Sequence, residues 1–195
     1  RWEWWTLTAV RNNPIGLTMR FNTGYRMQLF ERPGLLFEQS HIAAKIAGEI
    51  SPALTKIGAR VEVQPLALLR LHAQYEYFQS FGTFQQLSSF EDGDIDYSDD
   101  ALKALDDAYV TGGSTLELGA LLQAKVGSIA VRNDIKGHRH HLVLKEDDYY
   151  FYNRSLDVLF PNGGWAITND ADLIYLTNFG LKVGVRHTYT DVLYP

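Results

Sequence analysis

Residues Gly16 to Phe30 read Gly-Leu-Thr-Met-Arg-Phe-Asn-Thr-Gly-Tyr-Arg-Met-Gln-Leu-Phe, and their alternation decides the fold. Leu17, Met19, Phe21, Thr23, Tyr25, Met27 and Leu29 point one way, and Thr18, Arg20, Asn22, Gly24, Arg26 and Gln28 the other. Successive side chains of a strand face opposite sides, so the stretch predicts one extended strand, well beyond the roughly 5 to 6 residues usual in globular proteins. A strand tilted by about 45° crosses a bilayer with about 9 to 11 residues. One face is apolar enough to meet lipid, whereas the two arginines and the asparagine opposite would be unusual in a buried core. The pattern predicts a transmembrane strand, apolar outside and polar inside.

Working outward, the same period recurs. Ile42, Ala44, Ile46, Gly48 and Ile50 oppose His41, Ala43, Lys45, Ala47 and Glu49. These residues include good helix formers, but a helix would leave only a thin stripe of Ile42, Ile46 and Ile50, so a strand is expected. Lys56 to Gln64 and Ala67 to Tyr77 alternate on either side of Pro65, which is read as the turn of a hairpin. Leu116 to Val126, a Gly127-Ser128 turn, and Ile129 to Lys136 form the next pair, and Leu181 to Thr188 the last strand. The aromatic run Tyr149 to Phe160, a Pro161 to Gly164 turn, and Trp165 to Thr177 supply two more. The expectation is an all-β, antiparallel, up-and-down transmembrane β-barrel of about ten strands, one domain over residues 1–195 or one arc of a longer barrel.

Between these strands lies a long acidic loop, about 79–113, containing Glu91, Asp92, Asp94, Asp96, Asp99 and Asp100 and a helix-like Ala101 to Leu105. Outer-membrane barrels place short turns in the periplasm and long loops outside. Accordingly the turns at Pro33-Gly34, Pro65, Gly127-Ser128 and Asn162-Gly163 are expected inside, and the acidic loop and Gly137 to Asp148 outside. An even strand number would return the C-terminus to the periplasm.

Composition narrows the classes further. The formal net charge is -5 with no cysteine, and no basic stripe suits nucleic acid. No stretch approaches the roughly 18 apolar residues of a spanning helix, and a mean hydropathy of -0.18 fits strands with one polar face. The chain opens at Arg1 without a signal peptide, as a mature form or fragment would.

The polar faces carry Arg20, Arg26, Lys45, Glu49, Arg60, Glu62, Arg70, Glu76, Glu117, Lys125, Arg132, Asp134, Lys136, Lys182 and Arg186. Charges of both signs on one face are expected to pair across a narrow interior, since small barrels are filled by side chains. Trp2, Trp4, Trp5, Tyr75, Tyr77, Phe78, Tyr149, Tyr150, Phe151, Tyr152 and Tyr189 gather near expected strand ends, as interface girdles do, although aromatics also favour strands in general. Asp92, Asp94, Asp96 and Ser98 place oxygens at alternate positions like a calcium loop, without the glycine and glutamate an EF-hand requires. His138, Arg139, His140 and His141 lack a distant ligand pair for zinc or copper. His72 with Glu76, and His140 with Asp147, are the available acid–base pairs near a rim; no Ser-His-acid order or phosphate loop accompanies them.

With these residues in view, the chain resembles bacterial outer-membrane β-barrel proteins as a class. Its final strand, Lys182-Val183-Gly184-Val185-Arg186-His187-Thr188-Tyr189, resembles their C-terminal targeting signal, with His187 in place of a hydrophobic residue and the chain continuing to Tyr194-Pro195. The resemblance implies a Gram-negative outer-membrane location, lipids and other envelope proteins as partners, and no cofactor. It implies a structural, anchoring or interaction role, with a constricted charged lumen and narrow solute passage. A soluble lipocalin-like binder with its apolar rows turned inward, or a rim-located hydrolase, are the alternatives.

Overall fold

The two-residue period becomes nine long strands in one antiparallel sheet. The computed structural model describes residues 1–12, 15–30, 34–83, 87–105, 109–153 and 156–194. The sheet is a meander of β1 (Trp2–Asn12), β2 (Ile15–Gln28), β3 (His41–Ile50), β4 (Leu54–Leu66) and β5 (Leu69–Phe81), then β7 (Val110–Val126), β8 (Ile129–Leu142), β11 (Trp165–Leu176) and β12 (Lys182–Leu193). Between β5 and β7 lie β6 (Ser89–Phe90) and the helix α1 (Asp99–Ala104), capped by the Ser98 hydroxyl. Between β8 and β11 lie β9 (Tyr150–Asn153) and β10 (Val158–Pro161); β6, β9 and β10 form a separate small sheet. The nine strands run 10 to 17 residues, each long enough to cross a bilayer when tilted.

Several expectations are corrected. The sheet is open rather than a closed ring, with β1 and β12 as its edges, and it has nine strands rather than about ten. The run 149–160 is not a long strand but the short β9–β10 hairpin, because Phe151 and Phe160 stack at 5.4 Å and bury themselves against Leu142 and Ala166. An odd strand count leaves the two termini at opposite ends: β1 starts at what we call the lower end, and β12 finishes at the upper. The Asn162-Gly163 turn is at the upper end, beside the end of β8, where Asn162 brackets Leu142 through both backbone groups. Pro65 stays within β4, at a bulge between Val63 and Leu66, which accommodates its missing N–H; the turn itself is Ala67-Leu68. Gly127, with φ of 59°, does make its two-residue turn, as a hairpin position with positive φ favours glycine. Of the Pro33-Gly34 turn, Pro33 lies outside the described residues.

Which face is buried is the decisive feature. Pairing registers put His41, Glu62, Gln64, His72, Asp134 and Asp172 on the inner face, and all are buried. Ile46, Ile57, Val61, Leu118, Val131, Leu173 and Val185 face outward and are exposed, Ile46 at 53%. The arrangement is the reverse of a water-soluble core. Interruptions of the outer face by charged, histidine or amide side chains among the described strand residues are few: Gln79 near the upper end of β5, Arg139 and His141 near the upper end of β8, His187 and Asp191 on the edge strand β12, and the pair Asn133–Asn169, whose amides bond each other at 2.6 Å.

On the polar face, neighbouring backbones approach closely where glycine leaves room. A Cβ at Gly58 would fall 2.0 Å from the Tyr75 carbonyl oxygen and 2.6 Å from the Glu76 Cα. Neither atom is the end of a flexible side chain. Gly58→Ala is therefore expected to cost about 1–3 kcal/mol, as overpacking does, read as a lower urea midpoint for the refolded protein.

Candidate functional site

The inner face gathers the strand charges into linked clusters. Opposed residues of paired strands share a face, so the β2–β3–β4 registers stack Arg26, His41, Lys45, Arg60 and Glu62 side by side. Glu62 accepts from His41 Nε2 at 2.9 Å and Lys45 Nζ at 3.2 Å, with Arg60 Nε at 3.6 Å. Arg60 reaches on to Glu117 at 3.7 Å, and Glu117 binds His72 Nε2 at 2.8 Å and stands 3.7 Å from His138 Nδ1. His138 Nε2 in turn lies 3.0 Å from the Thr168 hydroxyl. One chain of polar contacts thus crosses from β2, where Arg26 meets His41 at 2.9 Å, to β11.

Toward the β12 edge a second cluster forms. Asp134 pairs with Arg132 at 3.2 Å and Lys136 at 3.4 Å, and Asp172 takes a bidentate pair from Arg186 at 2.6 and 2.9 Å. On the β1 side, Glu3 bridges Arg1 and Arg26, and Glu49 binds Arg20 and the Thr18 hydroxyl. Arg70 donates to Gln64 at 2.9 Å. The inner-face rows also carry Glu76, on β5, and Lys125 and Lys182, on the lower stretches of β7 and β12. All fifteen charges expected on the polar faces lie on this one side.

The acid–base pairs anticipated near the rim are rearranged. His72 meets Glu117 rather than Glu76, because the β5–β7 register sets Gln74 opposite Glu117. His140 meets Asn153 Nδ2 at 3.2 Å and the edge of Phe160 at 4.8 Å, while Asp147 is exposed in the turn after β8. His138 and His140 point inward and His141 outward, so the three do not converge; among the described residues no group of three His, Asp or Glu side chains is arranged to hold a metal. Asp92, Asp94 and Asp96 are exposed, and Asp96 accepts from the Ser98 backbone at 2.9 Å. That bond first, and the Ser98 hydroxyl second, hold its carboxyl below the usual range.

The upper end of the inner face is covered. Leu87, Phe151 and Phe160 of the inserted segments pack on Leu142 and Ala166 of the sheet, forming a cap that sequence periodicity did not reveal. Beneath it a cavity of about 60 Å³ is lined by Lys56, Phe78, Thr115, His140 and Phe151 among others. Tyr109 anchors the cap, donating to Ser89 Oγ at 2.7 Å, while Ser89 bonds Asp148; burial pushes the Tyr109 phenol up. At the lower end Arg26 reaches the Gln39 carbonyl and Leu36 accepts from Ala67, drawing residues 34–40 toward the inner face.

The outward aromatics fall toward both ends. Trp2 and Trp4 start β1 beside Tyr25, and Tyr77 and Tyr189 lie on the upper halves of β5 and β12, with Tyr75 in an edge contact to Tyr77 at 5.6 Å. Tyr149 is exposed in the cap, against Tyr150. Trp5 is a correction: it pairs with Asn22 and so faces inward with Arg20 and Arg26. Comparison of the chain with family models, with curated proteins and with solved structures finds no match.

Proposed function

We propose that this chain is an outer-membrane β-barrel element of a Gram-negative bacterium, with its apolar rows against lipid and its charged face lining a constricted lumen. The observation that carries the reading is the inverted partition, in which isoleucine, leucine and valine rows are exposed while Glu62, Asp134, Asp172, His41 and His72 are buried. In water the exposed rows would cost about 25 cal/mol per Å² of apolar surface; in acyl chains that cost disappears. No helix among the described residues is long and apolar enough to cross a membrane, so crossing would fall to the strands. The lipocalin alternative needs the apolar rows turned inward, and here they turn outward.

Hydrocarbon tolerates no unpaired strand edge, so β1 and β12 must both be paired in the bilayer. They run in the same direction, which leaves two solutions: a parallel seam between them, or an odd number of further strands antiparallel to both. The capped, salt-bridged interior supports an anchoring or interaction role with narrow solute passage rather than the open channel of barrels of about 16 to 18 strands. Partners on this reading are outer-membrane lipids and other envelope proteins. After refolding into detergent, the unboiled protein should migrate differently from the boiled one on a cold gel, and it should aggregate when detergent is withdrawn. A monodisperse, folded protein in plain buffer would overturn the assignment.

A further inference from the structure

The cavity beneath the cap gathers hydrogen-bond donors that have nothing to donate to. Strand register brings them together: Lys56 of β4 stands opposite Phe78 of β5, and one row lower Thr115 of β7 stands opposite His140 of β8. Leu87, Phe151 and Tyr152 of the inserted segments close the space over them. Among the described residues Lys56 makes no ion pair or hydrogen bond, and its Nζ stands 6.0 Å from the Phe78 ring centroid. Glu76, opposite Thr115 in the register, does not line the cavity. The Thr115 hydroxyl is unbonded as well. The tautomer of His140 follows from Asn153: the Asn153 Oδ1 accepts from the Leu156 backbone at 3.3 Å, so the amide Nδ2 is what faces His140 Nε2 at 3.2 Å. Nε2 is therefore the acceptor of a neutral ring, and the proton sits on Nδ1, a donor with no bond among the described residues.

We propose that this cavity binds a halide ion, with Lys56 as counter-charge and Thr115 and His140 as hydrogen-bond donors. A volume of about 60 Å³ suits a monatomic anion, since a single water occupies about 30 Å³. A water in this place would turn its own O–H groups toward Leu54, Leu87 and Leu142, whereas a halide only accepts. An ammonium enclosed without a counter-charge is costly, and its attraction to an anion is far stronger where water is excluded than at a surface. The donors belong to the sheet, while the cap supplies the roof and, through Asn153, the orientation of His140, so the bound ion favours the capped arrangement. The site is separate from the salt-bridged clusters and does not depend on what the outward rows meet.

The test is urea unfolding of the full chain refolded in octyl glucoside, with sodium chloride exchanged at constant ionic strength for sodium gluconate, whose anion is too large for the cavity. Tryptophan fluorescence reads the midpoint. It should rise with chloride and level off, because an ion that binds only the folded state stabilises it by mass action, and bromide should act alike. Chloride-35 line broadening by the unaltered protein should saturate over the same concentrations. Lys56→Met should raise the chloride concentration required by at least about tenfold, and Thr115→Val by about two- to tenfold. Migration on a cold gel checks that each variant folds; where Lys56→Met does not, Thr115→Val and the line broadening decide. A midpoint independent of chloride, a rise that never saturates, or a saturating rise that the folded variants keep unchanged would overturn the site.

Discussion

Glu62→Ala should destabilise the folded protein by about 3–5 kcal/mol, the loss expected when one partner of a buried ionic set is removed. The Glu62 side chain is only 7% exposed and answers three groups: His41, itself 2% exposed, Lys45 and Arg60. Removing the carboxylate leaves two permanent cations in a poorly solvated interior, with Gln74 and the more distant Glu117 the remaining partners of Arg60. Glu49→Ala supplies the internal comparison. Its partner Arg20 is 48% exposed, so water screens the pair and its loss should cost no more than about 1 kcal/mol. Urea unfolding followed by fluorescence of the four tryptophans reads both variants. Equal, small effects would mean that the inner face is hydrated and the clusters carry little stability.

The difference between those two carboxylates also shows what alternation can reveal and what it leaves hidden. Period two assigned Glu49 and Glu62 to one face, and the same rule placed Arg60, Glu117 and Asp134 correctly, because facing is a local property of a strand. Partnership is not local. His72 and Glu76 sit four residues apart on one strand, yet His72 binds Glu117, 45 residues away, because the register of β5 against β7 joins strands that are distant in sequence. Trp5 escaped for a related reason: β1 alternates tryptophan, threonine, leucine and alanine, with too little polarity contrast to mark a face. Pro65 read as a turn because a ladder rejects proline, but a bulge satisfies the same restriction.

The number of strands and the closure of the sheet were illegible for a different reason. Side-chain pattern reports what each face meets, not how many neighbours a strand has. The run Tyr149 to Phe160 has the aromatic content of a spanning strand, and only the contacts of Phe151 and Phe160 with Leu142 and Ala166 reveal that it folds back as a cap. The cavity at Lys56, Thr115 and His140 is closed by two inserted segments for which no period exists to read.

An arginine placed at Leu118 should be far more damaging than one at Val126 if the outer face meets hydrocarbon. Both residues lie on the apolar row of β7 and both are exposed, Val126 at 81% and Leu118 at 45%. Leu118 is the central residue of a 17-residue strand, while Val126 is its last, beside the Gly127-Ser128 turn. In a bilayer the cost of arginine on the lipid face is depth-dependent, about 2–4 kcal/mol at the midplane and about 0–1 kcal/mol near the interface. In water, both changes would be ordinary surface substitutions within about 0.5 kcal/mol of neutral. The contrast isolates the environment, because strand, face and substituted chemistry are shared and only depth differs. Measured by urea titration of protein refolded into lipid vesicles, a gap of about 2 kcal/mol or more between Leu118→Arg and Val126→Arg is the expected result. Two equal values would mean that the row of leucines and isoleucines meets water, or another protein, along its whole length.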